Sequence, residues 1–144
     1  MSEYISADLR REVADRAQGC CEYCRTQERF SCDPLTVDHI IPRAVGGQTQ
    51  SDNLALSCFG CNQHKSKLVT APDPATTEPA ELFHPRRQHW DQHFTWNNDF
   101  TMVLGLSSTG RATIVALKLN REGLVNLRRV LYAIREHPPR PTAD

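Results

Sequence analysis

Residues Thr36 to Lys67 read TVDHIIPRAVGGQTQSDNLALSCFGCNQHKSK, and this stretch decides the fold. It holds an Asp-His pair (Asp38, His39), a Gly46-Gly47 turn, Asp52-Asn53-Leu54, a CxxC (Cys58, Cys61) and Asn62-x-x-Lys65. Leu35 to Ile41 is β-branched and apolar enough for a short strand, and Pro42 stops it. Arg43 to Asp52 reads as a polar loop around the two glycines, Leu54 to Leu56 as a second strand, and Asn62 to Leu68 as a short helix. A strand, loop, strand, knuckle and helix of this size bury little apolar surface, so the unit needs a metal staple.

A second CxxC, Cys21-Glu22-Tyr23-Cys24, lies upstream. Each knuckle offers two thiolates from a tight turn. Four thiolates suit tetrahedral zinc, and a closed four-sulfur set is structural rather than catalytic. The 33 residues between the knuckles exceed a short zinc-ribbon gap, so the strand-loop-strand unit is inserted between them. Disulfides and free thiols are the alternatives. The N-terminal MSEYISADLRREV has no apolar signal core, which points to a reducing, cytoplasmic location and favours metal over disulfides. Cys20 and Cys32 are spare, and Cys20 with Cys24 is a second spacing that the sequence leaves open.

Asp38 and His39 end a predicted strand, so their side chains leave on opposite faces. One can face a metal and the other a water beside a phosphate. Asn62 follows the second knuckle, held against that strand. An Asp carboxylate with an amide oxygen, completed by waters and phosphate oxygens, suits Mg²⁺ or Mn²⁺. Asn53, where the loop re-enters the second strand, can brace the loop backbone and orient His39. Arg43 and Lys65 are the nearest basic residues and candidates for flanking phosphates.

Working outward, Ser6 caps a helix with Leu9, Val13 and Ala17 on one face, and Gly19 ends it. Residues 70 to 79 carry three prolines and read as a strap without secondary structure. Leu82 to Pro85 docks on the core, and Arg86 to Trp96 is a helix whose His89 and His93 serve ordinary packing. Thr101 to Leu106 and Arg111 to Leu119 pair as a β-hairpin. Asn120 caps a final helix with Leu124, Leu127, Leu131 and Ile134 inward. Arg121, Arg128, Arg129 and Arg135 lie off that stripe, where some of them are candidates to widen a phosphate-binding surface and ordinary solvated charge is the alternative. Lys+Arg and Asp+Glu both number 17, so long-range steering of a polyanion is weak. With no run of 18 apolar residues there is no membrane span. The whole reads as one α+β domain, residues 1–144, with a core at 20–68 and a C-terminal extension at 82–137.

VDHIIPRAVGG, DNLALSC, the CN..K that follows and the upstream CEYC together closely resemble the HNH endonuclease family in its zinc-stapled ββα-metal form. RREVADRAQGCCEYC, GLSSTGRAT and LNREGLVNLRRVL resemble the flanks of small stand-alone bacterial members. The resemblance implies a ββα-metal core, cleavage of DNA, most often double-stranded, and products with a 3′-hydroxyl and a 5′-phosphate. It makes His39 the general base, Asp38 a ligand of one catalytic metal and Asn53 the residue holding the loop. Asn62 stands where many members have His, an H-N-N variant, with His64 ranked second as ligand. A zinc module that binds nucleic acid without cutting is the rival reading. The Asp38-His39 pair argues against it, because a binder needs no base beside a metal ligand. A nuclease subunit active only inside a larger defence or mobile-element system is the other alternative.

Overall fold

A computed structural model describes residues 4–140; the first three residues of the N-terminal stretch read above lie outside them. Helix α1 (Ala7–Arg16) starts where the Ser6 hydroxyl accepts from the Leu9 amide; it buries Val13, and Ala17, which caps its end, is buried too. The chain leaves α1 through Gln18 and Gly19, both in the left-handed region, and a bridge between Cys20 and Gln27 closes the first knuckle.

Strand β1 (Thr36–His39) pairs antiparallel with β2 (Leu54–Ser57), placing Asp38 opposite Ala55 and His39 opposite Leu54. Every residue of β2 is buried, because α1 covers it. The loop between the strands contains two single 3₁₀ turns, Arg43–Val45 and Ser51–Asn53. Gly46 takes a positive φ, and a Cβ at Gly47 would overlap the Ile41 carbonyl oxygen, so the glycine pair is required at both positions for different reasons. Helix α2 (Phe59–Lys65) begins at the second knuckle, with Cys58 as its N-cap. The helix therefore starts three residues earlier than the sequence pattern indicates, and Asn62 sits in its middle.

The C-terminal part departs further from expectation. The proline-rich strap is a hairpin, β3 (Thr70–Pro72) with β4 (Pro79–Glu81), and its exposed, proline-ended strands show no apolar alternation to read. Asp73 closes its turn, and Arg111 grips that carboxylate with two bonds of 2.9 and 2.8 Å. Between Arg86 and Trp96 only α3 (Trp90–His93) is helical, and β5 (Phe94–Trp96) follows at once. His89 and His93 therefore do not share a helix face, and His93 Nδ1 bonds the Ser107 hydroxyl at 2.7 Å.

Strand β6 (Val103–Gly105) pairs with β5, not with the segment after it. Residues Arg111 to Leu119 mostly form a helix, α4 (Ser108–Leu117). Ser107 caps it by accepting from the Gly110 amide at 3.0 Å, so the Ser-Ser-Thr-Gly run is a helix start rather than a hairpin turn. Gly110 is needed because a Cβ there would overlap the His93 carbonyl. Helix α5 (Glu122–Ala133) starts at Arg121, and Asn120 instead clasps Val103 with its side-chain amide. Leu124 and Leu131 point inward, but Ile134 is 59% exposed. Arg128 is 3% exposed, bonding the carbonyls of Thr101, Leu119 and Cys24 and lying over the Trp96 ring. It is a core strut and not part of a phosphate-binding surface. No helix among the described residues is long and apolar enough to cross a membrane.

Candidate functional site

Cys21, Cys24, Cys58 and Cys61 converge in the core, their sulfurs all within 4.8 Å of one another. Zinc–sulfur bonds of about 2.3 Å in a tetrahedron put sulfurs roughly 3.8 Å apart, so the set fits a zinc ion. The amides of Cys24 and Cys61 point at Cys21 Sγ (3.5 Å) and Cys58 Sγ (3.4 Å), the inward hydrogen bonding that a thiolate knuckle uses. The thiols perturb one another strongly. Hydrogen bonds from Cys21, Cys24 and Cys61 push the Cys58 thiol far below its ordinary range, whereas burial and neighbouring thiols push Cys21 up. Cys20 is buried but bonds the Gln18 carbonyl, outside the cluster, and Cys32 is exposed. The alternative Cys20–Cys24 spacing is thereby set aside.

Arg121 approaches the cluster from the start of α5. Its Nη2 lies 3.3 Å from Cys58 Sγ and its Nη1 3.6 Å from Cys61 Sγ. Two donors to two thiolates offset the negative charge of a four-sulfur site. A Cβ at Gly60 would meet the guanidinium, so this glycine leaves room for it.

Beside the cluster, the β1–β2 turn and α2 frame an open recess of about 300 Å³. Asp38, His39, Arg43 and Asn62 line it together, with Ser66 and Lys67 at its edge. The side-chain amide of Asn62 makes no hydrogen bond among the described residues, so its oxygen is available to a ligand. His64 does not line the recess; its charged neighbours are Arg121 and Lys118. Asn53 is buried beneath the loop. Its Oδ1 accepts from the Ile41 amide at 2.8 Å and its Nδ2 donates to the carbonyls of Ile41 and Gln48. One side chain thus ties the loop's two ends together. His39 Nε2 lies 2.8 Å from the Thr49 hydroxyl. Burial pushes the imidazole pKa down, with Asp38 opposing.

Residues 21–68, one third of the chain, match the family model described as HNH endonuclease. These residues form an HNH endonuclease domain. No curated protein and no solved structure matches the chain. The matched span runs from the first zinc-type cysteine to just past α2, so it contains both knuckles, the recess and every residue of the Asp-His, Asn53 and Asn62 set. The family comprises nucleases that act on nucleic acid and use divalent metals.

Within the HNH domain, Lys65 lies elsewhere than its charge suggests. Its side chain is 1% exposed and faces inward, with Nζ 3.2 Å from Asp38 Oδ2 and 3.1 Å from the His39 carbonyl. It cannot reach a substrate phosphate; Lys67 is the lysine at the recess. Tyr23, between the two cysteines of the first knuckle, donates its hydroxyl to the same Asp38 oxygen at 2.9 Å. Burial pushes the Asp38 carboxyl up, and Lys65 and Tyr23 oppose this. With both donors on Oδ2, Oδ1 makes no hydrogen bond among the described residues. Tyr23, Thr49 and the inward lysine have no signature in the sequence; only the i, i+3 placement of Lys65 after Asn62 on one helix hints that it stays near the site.

Removing one member of a buried ion pair leaves the other unpaired in low dielectric. Lys65→Ala is therefore expected to destabilise the HNH domain by about 3–5 kcal/mol, measured by denaturant unfolding. The Asp38→Ala, Lys65→Ala double variant should lose less than the two single losses added together. Strict additivity would mean that the two charges are not coupled.

Proposed function

We propose that the chain is a divalent-metal-dependent endonuclease that hydrolyses phosphodiester bonds in DNA, most readily double-stranded DNA, with a structural zinc on Cys21, Cys24, Cys58 and Cys61. The observation that carries this reading is that Asp38, His39 and Asn62 face one recess inside an HNH domain. Asp38 Oδ1 and the Asn62 amide oxygen would hold Mg²⁺ or Mn²⁺. Two protein oxygens leave most of the shell to water and phosphate, as suits a small hard cation. Such an ion supplies Lewis-acid stabilisation of the phosphoryl oxygens and of the leaving oxygen.

The chain's own residues do the rest. With the Nε2–H tautomer of His39 donating to Thr49, the lone pair sits on Nδ1 and takes the proton of the attacking water. Asn53 holds the loop that carries Thr49, and so keeps the base aimed. Lys65 bridges the His39 carbonyl and the Asp38 carboxylate, fixing the two catalytic side chains in register. Arg43 and Lys67 at the recess bind the flanking phosphates. Six cysteines, none of them in a disulfide, suit a reducing compartment, the cytoplasm.

The test is cleavage of plasmid DNA by purified protein with Mg²⁺, with Mn²⁺ and with a chelator. Nicking or linearisation that needs the metal, with 5′-phosphate ends, is the expected result; metal-independent products, or none on any DNA, would refute it. A finer prediction concerns Tyr23, whose hydroxyl orients the metal-binding carboxylate. Tyr23→Phe is expected to keep zinc and fold but to bind Mn²⁺ about 10- to 100-fold more weakly by EPR titration. Unchanged Mn²⁺ affinity would reduce this tyrosine to packing.

A further inference from the structure

Away from the recess, a cleft of about 650 Å³ opens between the end of α1, the first knuckle and the α3–β5 segment. Arg16, Arg25, Arg29, Arg140, Trp90 and Trp96 line it. The lining carboxylates are Glu22 and Asp91, and Glu22 is engaged by Arg86 and by the Leu56 amide. Arg29 pairs with Glu136. Among the described residues Arg16 bonds only neutral acceptors, the Ser51 hydroxyl and the carbonyls of Ser51 and Leu54, and is paired with no carboxylate.

Arg25 is the unusual member. It follows the zinc-type ligand Cys24, holds a φ of +67°, and lays its guanidinium over the Trp90 ring at 5.0 Å. Although half-buried, it makes no hydrogen bond through its side chain to any described residue. A guanidinium held over an aromatic face leaves N–H donors for a ligand, and a pair of them can take two oxygens of one phosphate. The knuckle on one side and Trp90 on the other fix its direction before any ligand arrives.

One loop touches both sites. The loop that places Thr49 on His39 places Ser51 on Arg16 two residues later, and Arg16 lines the cleft. We propose that this cleft is a second phosphate-binding site, which grips the backbone of a nucleic-acid strand beyond the scissile bond, with Arg25 as its clamp. The proposal rests on the nuclease reading for the nature of the polyanion.

Both tryptophans of the chain line this cleft, so intrinsic fluorescence reports its occupancy. The experiment titrates a short DNA duplex into the full chain without added divalent metal, following tryptophan emission and, in parallel, gel mobility. Wild type should show a saturable emission change. Arg25→Ala should bind roughly tenfold more weakly, lose about one unit of log–log salt slope and show little emission change. Arg25→Lys, which keeps a point charge, should keep the slope and lose part of the affinity, and Arg11→Ala, at an exposed position of α1 outside the cleft, should match wild type. Melting curves and zinc content confirm that each variant is folded.

Duplex binding with no emission change would overturn the site, as would wild-type affinity and slope in Arg25→Ala. Response to inorganic pyrophosphate but not to duplex would overturn the nucleic-acid assignment. Failure of the nuclease reading would appear separately, as absent cleavage with the emission change intact.

Discussion

His39→Ala is expected to keep the fold, the zinc and most DNA binding while the rate of plasmid cleavage falls about 10²- to 10⁴-fold. The side chain is half-buried, and its one ring hydrogen bond among the described residues goes to Thr49 on a surface loop, so its loss removes no core packing. Nor does it remove a sulfur of the zinc-type cluster or either oxygen assigned to the catalytic metal. What it removes is the proton acceptor. Only neutral imidazole can take the proton of water, so the rate should rise with pH through the histidine's pKa in the folded protein. Burial lowers that pKa, which moves the acid limb of the profile below the ordinary imidazole value of about 6.5 and leaves the base ready at neutral pH. Single-turnover cleavage across pH, for wild type and variant, checks both parts. Equal rates in preparations free of contaminating nuclease would show that His39 is not the base.

The largest effect on stability should come from Cys58→Ser. Cys58 belongs to the four-sulfur cluster, caps α2, and accepts from Arg121. A structural zinc site contributes on the order of 10 kcal/mol, comparable to the whole stability of a small domain. Losing one thiolate should therefore unfold residues 20–68 rather than merely slow a reaction. Elemental analysis should find about one zinc per wild-type chain and little in the variant, and circular dichroism should show the lost melting transition. Cys32→Ser, at an exposed position outside the cluster, should behave like wild type. Folded wild-type protein without zinc, or an unchanged Cys58→Ser, would refute the staple.

The parts of the HNH domain that could be read directly are those whose chemistry is local. Each CxxC brings two thiols into one turn, Asp38 and His39 are consecutive in a strand, and the Gly46-Gly47 turn with Asn53 closes a loop of a dozen residues. In these cases the residue types and their spacing already state which atoms can meet. The same holds for Asn62, which the second knuckle carries against β1.

The residues that misled are those whose environment comes from far along the chain. A lysine after a nuclease-like motif suggests a phosphate contact, but Asp38 and the His39 carbonyl draw Lys65 into the interior, 26 residues back in sequence. Arg128 looks like helix-surface charge, yet its acceptors belong to Thr101, Leu119 and Cys24, the last 104 residues away. Arg111 to Leu119 is apolar and β-branched enough for a strand, and what makes it helical is the Ser107 cap and the place for Gly110 against His93. By itself, then, the sequence determined the zinc-type knuckles and the Asp-His and Asn set, because short spacing limits what those groups can touch. Only the tertiary structure decided which charges are buried, since a charge enters the interior where distant parts of the chain supply its partners, and no local pattern records where those partners will be.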